Sequence, residues 1–267
     1  MSAPAPLLEV KGLDVVYGKA KALADVSFDV GQGELVGLIG PNGAGKTTLI
    51  ETVAGFVRAE RGGIVFSGRR MNGLRPEQRA RRGIVRTFQS LELFEELTVL
   101  ENLMVASDRV DWRRHVLDLV WPRWSATPDA VTEALDLLGI ADRGGAMPNQ
   151  LSNGERKLVA LGRALSSGAR MLMLDEPAAG LDTKESQELG VHLRGLVDRG
   201  WTMLLVDHDM DLVLGVCDRV LVLDFGVLVA EGPPEAIRRS PRVIDAYLGT
   251  DGSTSTARSG TPGPTGG

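Results

Sequence analysis

The sequence predicts an α/β fold built on a largely parallel sheet, and three observations predict it. From residue 151 to 232, helical and strand patterns alternate. At 34–57 an apolar strand, "ELVGLI", runs through a glycine-rich loop into a segment with Leu49, Ile50, Val53 and Val57 at helical spacing. In "RMLMLDEPAAGLD", four apolar residues, 171–174, stand directly before two acids, Asp175 and Glu176. That is a buried strand whose end needs positive charge beside it.

The elements follow in chain order. "LLEVKGLDVVYG", "KALADVSFDV" and "GELVGLIG" read as short strands divided by glycine turns. A helix follows the loop at 40–47. "IVFSG", among Gly62, Gly63, Gly68 and Gly73, reads as a short strand with turns. The basic stretch "PEQRARRG" at 76–83 reads either as a solvated helix face or as a phosphate or partner contact. Residues 98–140 are mostly helical in pattern, and "DWRRHVLDLVWPRW" holds Trp112, Trp121 and Trp124, which suits a partner or membrane-interface contact as well as ordinary packing. A helix follows Ser152, then come a strand at 170–175, a helix near 184–198, a strand at 201–206 and a short helix at about 209–217. The strands "RVLVLD" and "VLVAEG" flank a turn at Phe225 and Gly226. The last residues, 250–267, are almost devoid of apolar side chains and read as a disordered tail.

Composition excludes several classes. With 267 residues and 43% hydrophobic content, the chain has enough apolar material for one large domain or one domain with a smaller lobe. A net charge of -5 argues against a general nucleic-acid binder. The single cysteine, Cys217, cannot form an internal disulfide and reads as a small buried apolar residue in a reducing compartment. The start, "MSAPAPLLEV", lacks the pattern of a signal peptide. No apolar run approaches the ~20 residues of a membrane-spanning helix. The expectation is a soluble chain able to dock on a membrane protein.

"GPNGAGKT" at 40–47 matches G-x-x-x-x-G-K-[ST] in the required context of strand, loop and helix. The cradle comprises Gly40, Pro41, Asn42, Gly43, Ala44, Gly45, Lys46, Thr47 and Thr48. Its glycines let the backbone wrap round phosphates, successive N–H groups point inward, and the helix N-terminus adds partial positive charge. Lys46 reaches the β- and γ-phosphates, and the Thr47 hydroxyl ligates Mg²⁺. The strand ending at Asp175 is expected beside this loop in the sheet. Asp175 then faces the Mg²⁺, and Glu176 lies past it, where it can polarise the attacking water. Mg²⁺ and Lys46 supply the charge that the paired acids require.

Further pieces fall into a specific order: "RTFQ" with Gln89, "LSNGE" at 151–155, "AGLD" at 179–182, and "VDHD" with His208. Over residues 7–249 this order resembles the ATP-binding cassette (ABC) ATPases, the motor subunits of ABC transporters. The resemblance implies a P-loop NTPase core with a mostly parallel sheet, an N-terminal antiparallel β subdomain and an inserted α-helical subdomain at about 90–165. It implies two cassettes closing over two ATP molecules. Ser152 and Gly154 would touch the γ-phosphate held by the partner, and Gln89 would sense Mg²⁺ and signal to the membrane subunit. His208 would hold the γ-phosphate and the water, and Asp182 would couple the two sites. Tyr17, in "VVYG", stands where the family places an aromatic that stacks on adenine; the alternative is a strand aromatic packed in the core.

The signature segment departs from the common pattern at Asn153, where the family has glycine, and at Glu155, where it has glutamine. Ser152 and Glu155 also form a capping box for the helix that follows. If Glu155 caps its own helix, the added acid costs little; if it faces the partner, that contact is weakened. "LFEELTVLENLMVA", "LMLDEPAAGLD", "DHDMDLV", "EGPPEAI" and "VIDAYLG" resemble the branched-chain amino acid uptake group, whose relatives also import urea, amides and other small polar solutes. The implied partners are a second cassette, identical or different, permease subunits and, indirectly, a solute-binding protein, at the cytoplasmic face of the membrane. An export or lipid-extraction motor, a non-transport cassette ATPase and a regulatory cassette that binds ATP without cleaving it are the alternatives.

Overall fold

The computed structural model describes residues 5–87, 93–107 and 128–241. Gln89, the three clustered tryptophans and the tail lie outside the described residues. Among the described residues the strands form two sheets. The first is antiparallel, with order β2-β1-β4-β5, and comprises β1 (Leu8–Tyr17), β2 (Ala20–Val30), β4 (Arg61–Phe66) and β5 (Arg69–Arg70). The second has six strands in the order β10-β9-β3-β8-β7-β6: β3 (Leu35–Ile39), β6 (Ile84–Thr87), β7 (Met171–Asp175), β8 (Thr202–Val206), β9 (Arg219–Asp224) and β10 (Val227–Gly232). It is parallel except at β9–β10.

The helices are α1 (Lys46–Ala54), α2 (Pro76–Ala80), α3 (Val99–Ser107), α4 (Asp129–Leu137), α5 (Asn153–Ser166), α6 (Thr183–Val197), α7 (Met210–Val216) and α8 (Pro234–Arg238). None of the described helices is long and apolar enough to cross a membrane.

The parallel sheet is covered on both faces, which is why its strands are continuous apolar runs. Alternate residues part to opposite sides. Leu172, Leu174, Met203, Leu205, Val220 and Val222 join one core with residues of α3 to α7. Met171, Met173, Leu204, Val206, Leu221 and Leu223 join a second core with α1 and the antiparallel sheet. The helices α3, α4 and α5 pack together through Val99, Leu103, Val131, Ala134 and Val159. Asn102, fully buried at the start of α3, has its amide satisfied by Phe94, Leu97 and Thr98, so the loop entering α3 is pinned from inside.

One expectation is corrected. The strand of Asp175, β7, is not beside β3; β8 lies between them, pairing Leu38 with Val206 on one side and Asp175 with Val206 on the other. All three strands are fully buried, so the apolar pattern is the same whichever pair are neighbours. The basic stretch at 76–83 also fits neither of its two readings completely. Arg81 and Arg82 are exposed, but Arg79 turns inward. Its Nη1 donates to the carbonyls of Thr52 and Val53 at 2.8 and 2.7 Å, and its Nε to that of Leu74 at 3.2 Å. These include carbonyls from the last turn of α1, which a helix leaves without partners of its own.

The centre of the sheet admits no further volume. A Cβ on Gly37 would lie 2.6 Å from Val213 Cγ1 and 2.9 Å from Cys217 Sγ. Gly37→Ala is therefore expected to destabilise the fold by about 1–3 kcal/mol. At this chain length each kcal/mol lowers Tm by roughly 2–4 °C, which thermal unfolding measures. Burial pushes the Cys217 thiol far above its ordinary value, so almost none of it is thiolate near neutrality. A thiol reagent at pH 8 is expected to leave the native protein unmodified and to label it once guanidinium unfolds it.

Candidate nucleotide-binding site

The site is assembled at the carboxyl end of the parallel sheet. The pairing places Leu38, Val206 and Asp175 level with one another, so the chain leaves β3, β8 and β7 at the same end. Carboxyl ends of parallel strands are where open α/β sheets bind ligands. From β3 the chain enters the loop at 40–45, from β8 it enters Asp207 and His208, and from β7 it enters Glu176.

Glycine is required at the loop's two hinges. A Cβ on Gly40 would lie 2.0 Å from the Leu223 carbonyl oxygen. Gly45 has φ +104°, and its Cβ would lie 2.8 Å from the Ala22 carbonyl oxygen. Gly226, in the β9–β10 turn, braces the loop by donating to the Ala44 carbonyl at 2.8 Å. Helix α1 starts at Lys46 with no side-chain cap. Its first N–H groups are therefore left for an anion, with the helix dipole favouring negative charge. By contrast, α5 is capped by Ser152 and α6 by Asp182, each in a closed capping box.

Lys46 donates to the carbonyls of Gly40 at 2.6 Å and Pro41 at 2.9 Å, holding its ammonium inside the loop's curve. Burial lowers its pKa, while the charges of Glu176 and Asp175 oppose that shift. The two acids thus share one electrostatic environment with the loop. Asp175 is buried, and its charge is matched by a residue that the sequence reading passed over. Arg86 Nη2 lies 2.7 Å from Asp175 Oδ2. Arg86 thus adds to the Mg²⁺ and Lys46 expected to balance the acids. The signal was present in "RTFQ", whose arginine lies on β6, the strand paired in parallel with β7.

Glu176 adopts a left-handed backbone, φ +49°, and its N–H donates to the Val206 carbonyl at 2.7 Å. A non-glycine residue held there is strained, and such strain collects at functional sites. Asp207, another residue not singled out from sequence, is almost wholly buried. Its carboxylate accepts the N–H groups of Ala178 and Asp209, each at 3.0 Å. It thereby ties the segment after Glu176 to the segment carrying His208. His208 itself is exposed, its Nδ1 3.5 Å from Asp207 Oδ1. Lys157, on α5, is half-buried, and burial lowers its pKa against the opposing charges of Asp207 and Glu176.

The signature segment is bound to the segment after β7 within the same chain. Asn153 Nδ2 donates to the Gly180 carbonyl at 2.7 Å, and the Gly154 N–H donates to Glu185 Oε1 at 3.2 Å. Glu155 turns back: Oε2 accepts the Ser152 N–H at 2.8 Å, and Oε1 lies 2.8 Å from Arg143 Nε. Both departures from the common signature are thus directed into this chain. Ser152, Asp182, Thr47 and His208 are exposed, and Tyr17 is half-exposed at the end of β1, which overturns its packed-core alternative. Among the described residues no cluster of three or more His, Cys, Asp or Glu side chains forms a metal cage. A cation held by one hydroxyl, one carboxylate and the phosphates it arrives with fits this donor set, since Mg²⁺ keeps few protein ligands.

The comparisons with known proteins agree. Residues 23–179 match the ABC transporter family, and residues 227–253 match the branched-chain amino acid ATP-binding cassette transporter family. LivG of Salmonella typhimurium, a high-affinity branched-chain amino acid transport ATP-binding protein, is 40% identical over 252 residues, covering 91% of this chain and 98% of its own. The ADP conformation of MJ1267, an ATP-binding cassette of an ABC transporter, matches with a TM-score of 0.80 at 30% identity, covering 92% of this chain and 100% of that one. MJ0796, a bacterial ABC transporter cassette solved as a dimer, matches with a TM-score of 0.67 at 25% identity, covering 85% of this chain and 98% of its own. The chain belongs to the ATP-binding cassette family, as the ATP-binding, ATP-hydrolysing subunit of a branched-chain amino acid transporter.

Proposed function

We propose that this subunit drives uptake of branched-chain amino acids or similar small polar solutes by hydrolysing ATP between its own loop at 40–48 and the signature segment of a second cassette. The observation that carries the reading is the common end at which β3, β7 and β8 deliver the loop, Asp175 with Glu176, and His208. The uncapped start of α1 and Lys46 hold the phosphates, and the half-exposed Tyr17 ring stacks on adenine. Thr47, Asp175 and Gln89 would hold Mg²⁺, which when bound would neutralise charge on the phosphate oxygens.

Glu176 accepts the proton of a water that attacks the γ-phosphorus in line. The bond to the β-phosphate oxygen breaks, and ADP and phosphate are released. His208, steadied by Asp207, orients that water and the γ-phosphate. Positioning and electrostatics supply most of the rate in such transfers.

Ser152 and Gly154 face the phosphate held by the second cassette, and Asp182 links the two sites. An exposed Ser152, Asp182 and His208 suit residues completed by a partner, and the MJ0796 dimer shows cassettes of this fold in pairs. Because Glu155 and Asn153 are engaged within their own chain, neither presents an acid or a loose amide to the partner's nucleotide. ATP binds the closed pair better than the open one, and this difference moves the permease subunits. The helices α3 to α5 act as the arm that carries the signature segment. Permeases, a solute-binding protein and a place at the cytoplasmic face of the membrane complete the proposal.

Two outcomes test it. Glu176→Gln is expected to keep ATP binding and to slow turnover by ~10²–10⁴, the range of a general base; wild-type single-turnover hydrolysis in that variant would refute the role. Lys46→Ala is expected to weaken ATP binding in calorimetry, because it removes the ammonium from the curve of the loop, and unchanged affinity would exclude Lys46 as a phosphate ligand.

A further inference from the structure

The pairing of Arg86 with Asp175 is unlike the surface ion pairs of this molecule. The two side chains are only 10% and 5% exposed. Arg86 also reaches Glu51 on α1, Nη1 to Oε1 3.5 Å, and its guanidinium carbon stands 5.9 Å from the ring centre of Phe56. Removing an ionised carboxylate from water is costly unless a counter-charge with good geometry accompanies it. The nearby ammonium of Lys46 is directed at two carbonyls of its own loop. The described counter-charge in contact with Asp175 is therefore a side chain from the neighbouring strand.

We propose that Arg86 is a positioning residue that stands in for Mg²⁺ at Asp175 and weakens the metal's hold on the site. The guanidinium takes Oδ2 and leaves Oδ1 for the cation. Two positive groups then share one carboxylate, so Asp175 offers a dication less attraction than it would alone. The arrangement keeps Asp175 buried, paired and aimed before nucleotide arrives, and it eases metal release afterwards. Glu51, on the far side of the guanidinium, draws part of that charge away from Asp175. The inference rests on the reading of Asp175 as a metal ligand and adds to it a residue that tunes the ligand.

The test measures the free Mg²⁺ concentration that half-saturates the complex with a non-hydrolysable ATP analogue, the analogue itself held saturating. Arg86→Met is expected to lower that concentration by about tenfold or more, because the repulsion between a unit positive charge and a dication a few ångströms apart reaches that size even at the dielectric of bulk water. Arg86→Lys, which keeps the charge, is expected to restore the wild-type requirement. Without metal or nucleotide, Arg86→Met is expected to melt below the wild type, and saturating Mg²⁺ with the analogue to narrow the gap. An unchanged or increased Mg²⁺ requirement in Arg86→Met overturns the proposal. Asp175→Asn run in parallel separates the two layers: if it leaves the Mg²⁺ requirement unaltered, the metal-ligand reading fails, and if it raises the requirement while Arg86→Met fails to lower it, only the Arg86 proposal fails. Should Arg86→Met not fold, Glu51→Gln decides, with a raised Mg²⁺ requirement expected as the guanidinium turns wholly to Asp175, and no rise overturning the proposal.

Discussion

Two acids in succession at the end of a buried strand set the condition that the rest of this molecule satisfies. Like charges side by side in a low-dielectric place cannot both stay ionised without cations near them. The fold brings three sources together. Arg86 comes from the strand on one side, Lys46 from the loop two strands away, and the bare N-terminus of α1 from the same loop. Nucleotide phosphates would reverse the balance there by adding negative charge, and a dication would restore it. The cations that stabilise the acids in the free protein therefore also set how strongly this end of the sheet draws a metal–triphosphate.

That end depends on cores on both sides of the sheet. Alternating residues of β7, β8 and β9 point into different cores, one closed by α1 and the antiparallel sheet, the other by the long helices. A slip of one residue in any central strand would exchange its faces and move its terminal acid or histidine out of line. Burial on both sides thus fixes the height at which Asp175, Glu176 and His208 emerge. The backbone hydrogen bond from Glu176 to Val206 and the two N–H groups gathered by Asp207 hold that height after the strands end.

The signature segment shows how a local rule and a distant contact combine. Ser152 and Glu155 close a capping box that needs four successive residues only. Asn153 and Gly154, inside the same four residues, are held by Gly180 and Glu185, 27 and 31 positions away. One consequence is mechanical. The segment that would meet a partner's nucleotide is joined to the segment that follows Glu176, so a shift in either is felt by the other. The departure at Asn153, which reads as a liability in isolation, serves this internal join, while the acid of Glu155 is taken up by Ser152 and Arg143.

Periodicity and glycine placement were legible from residues alone: the order of strands and helices, the loop at 40–47, the cap at Ser152, and the acids at 175 and 176 all follow from patterns a few residues long. Local sequence dictates them because they rest on backbone sterics, helix ends and side-chain period. Tertiary structure decided which strands are neighbours, and so placed β8 between β3 and β7. It also turned Arg79 onto the end of α1, set Arg86 against Asp175, and gave Asp207 its two donors. These depend on contacts between residues far apart in the chain. Three equally apolar strands carry no mark of their order, and a buried cation looks the same as a solvated one until the group it neutralises is folded against it.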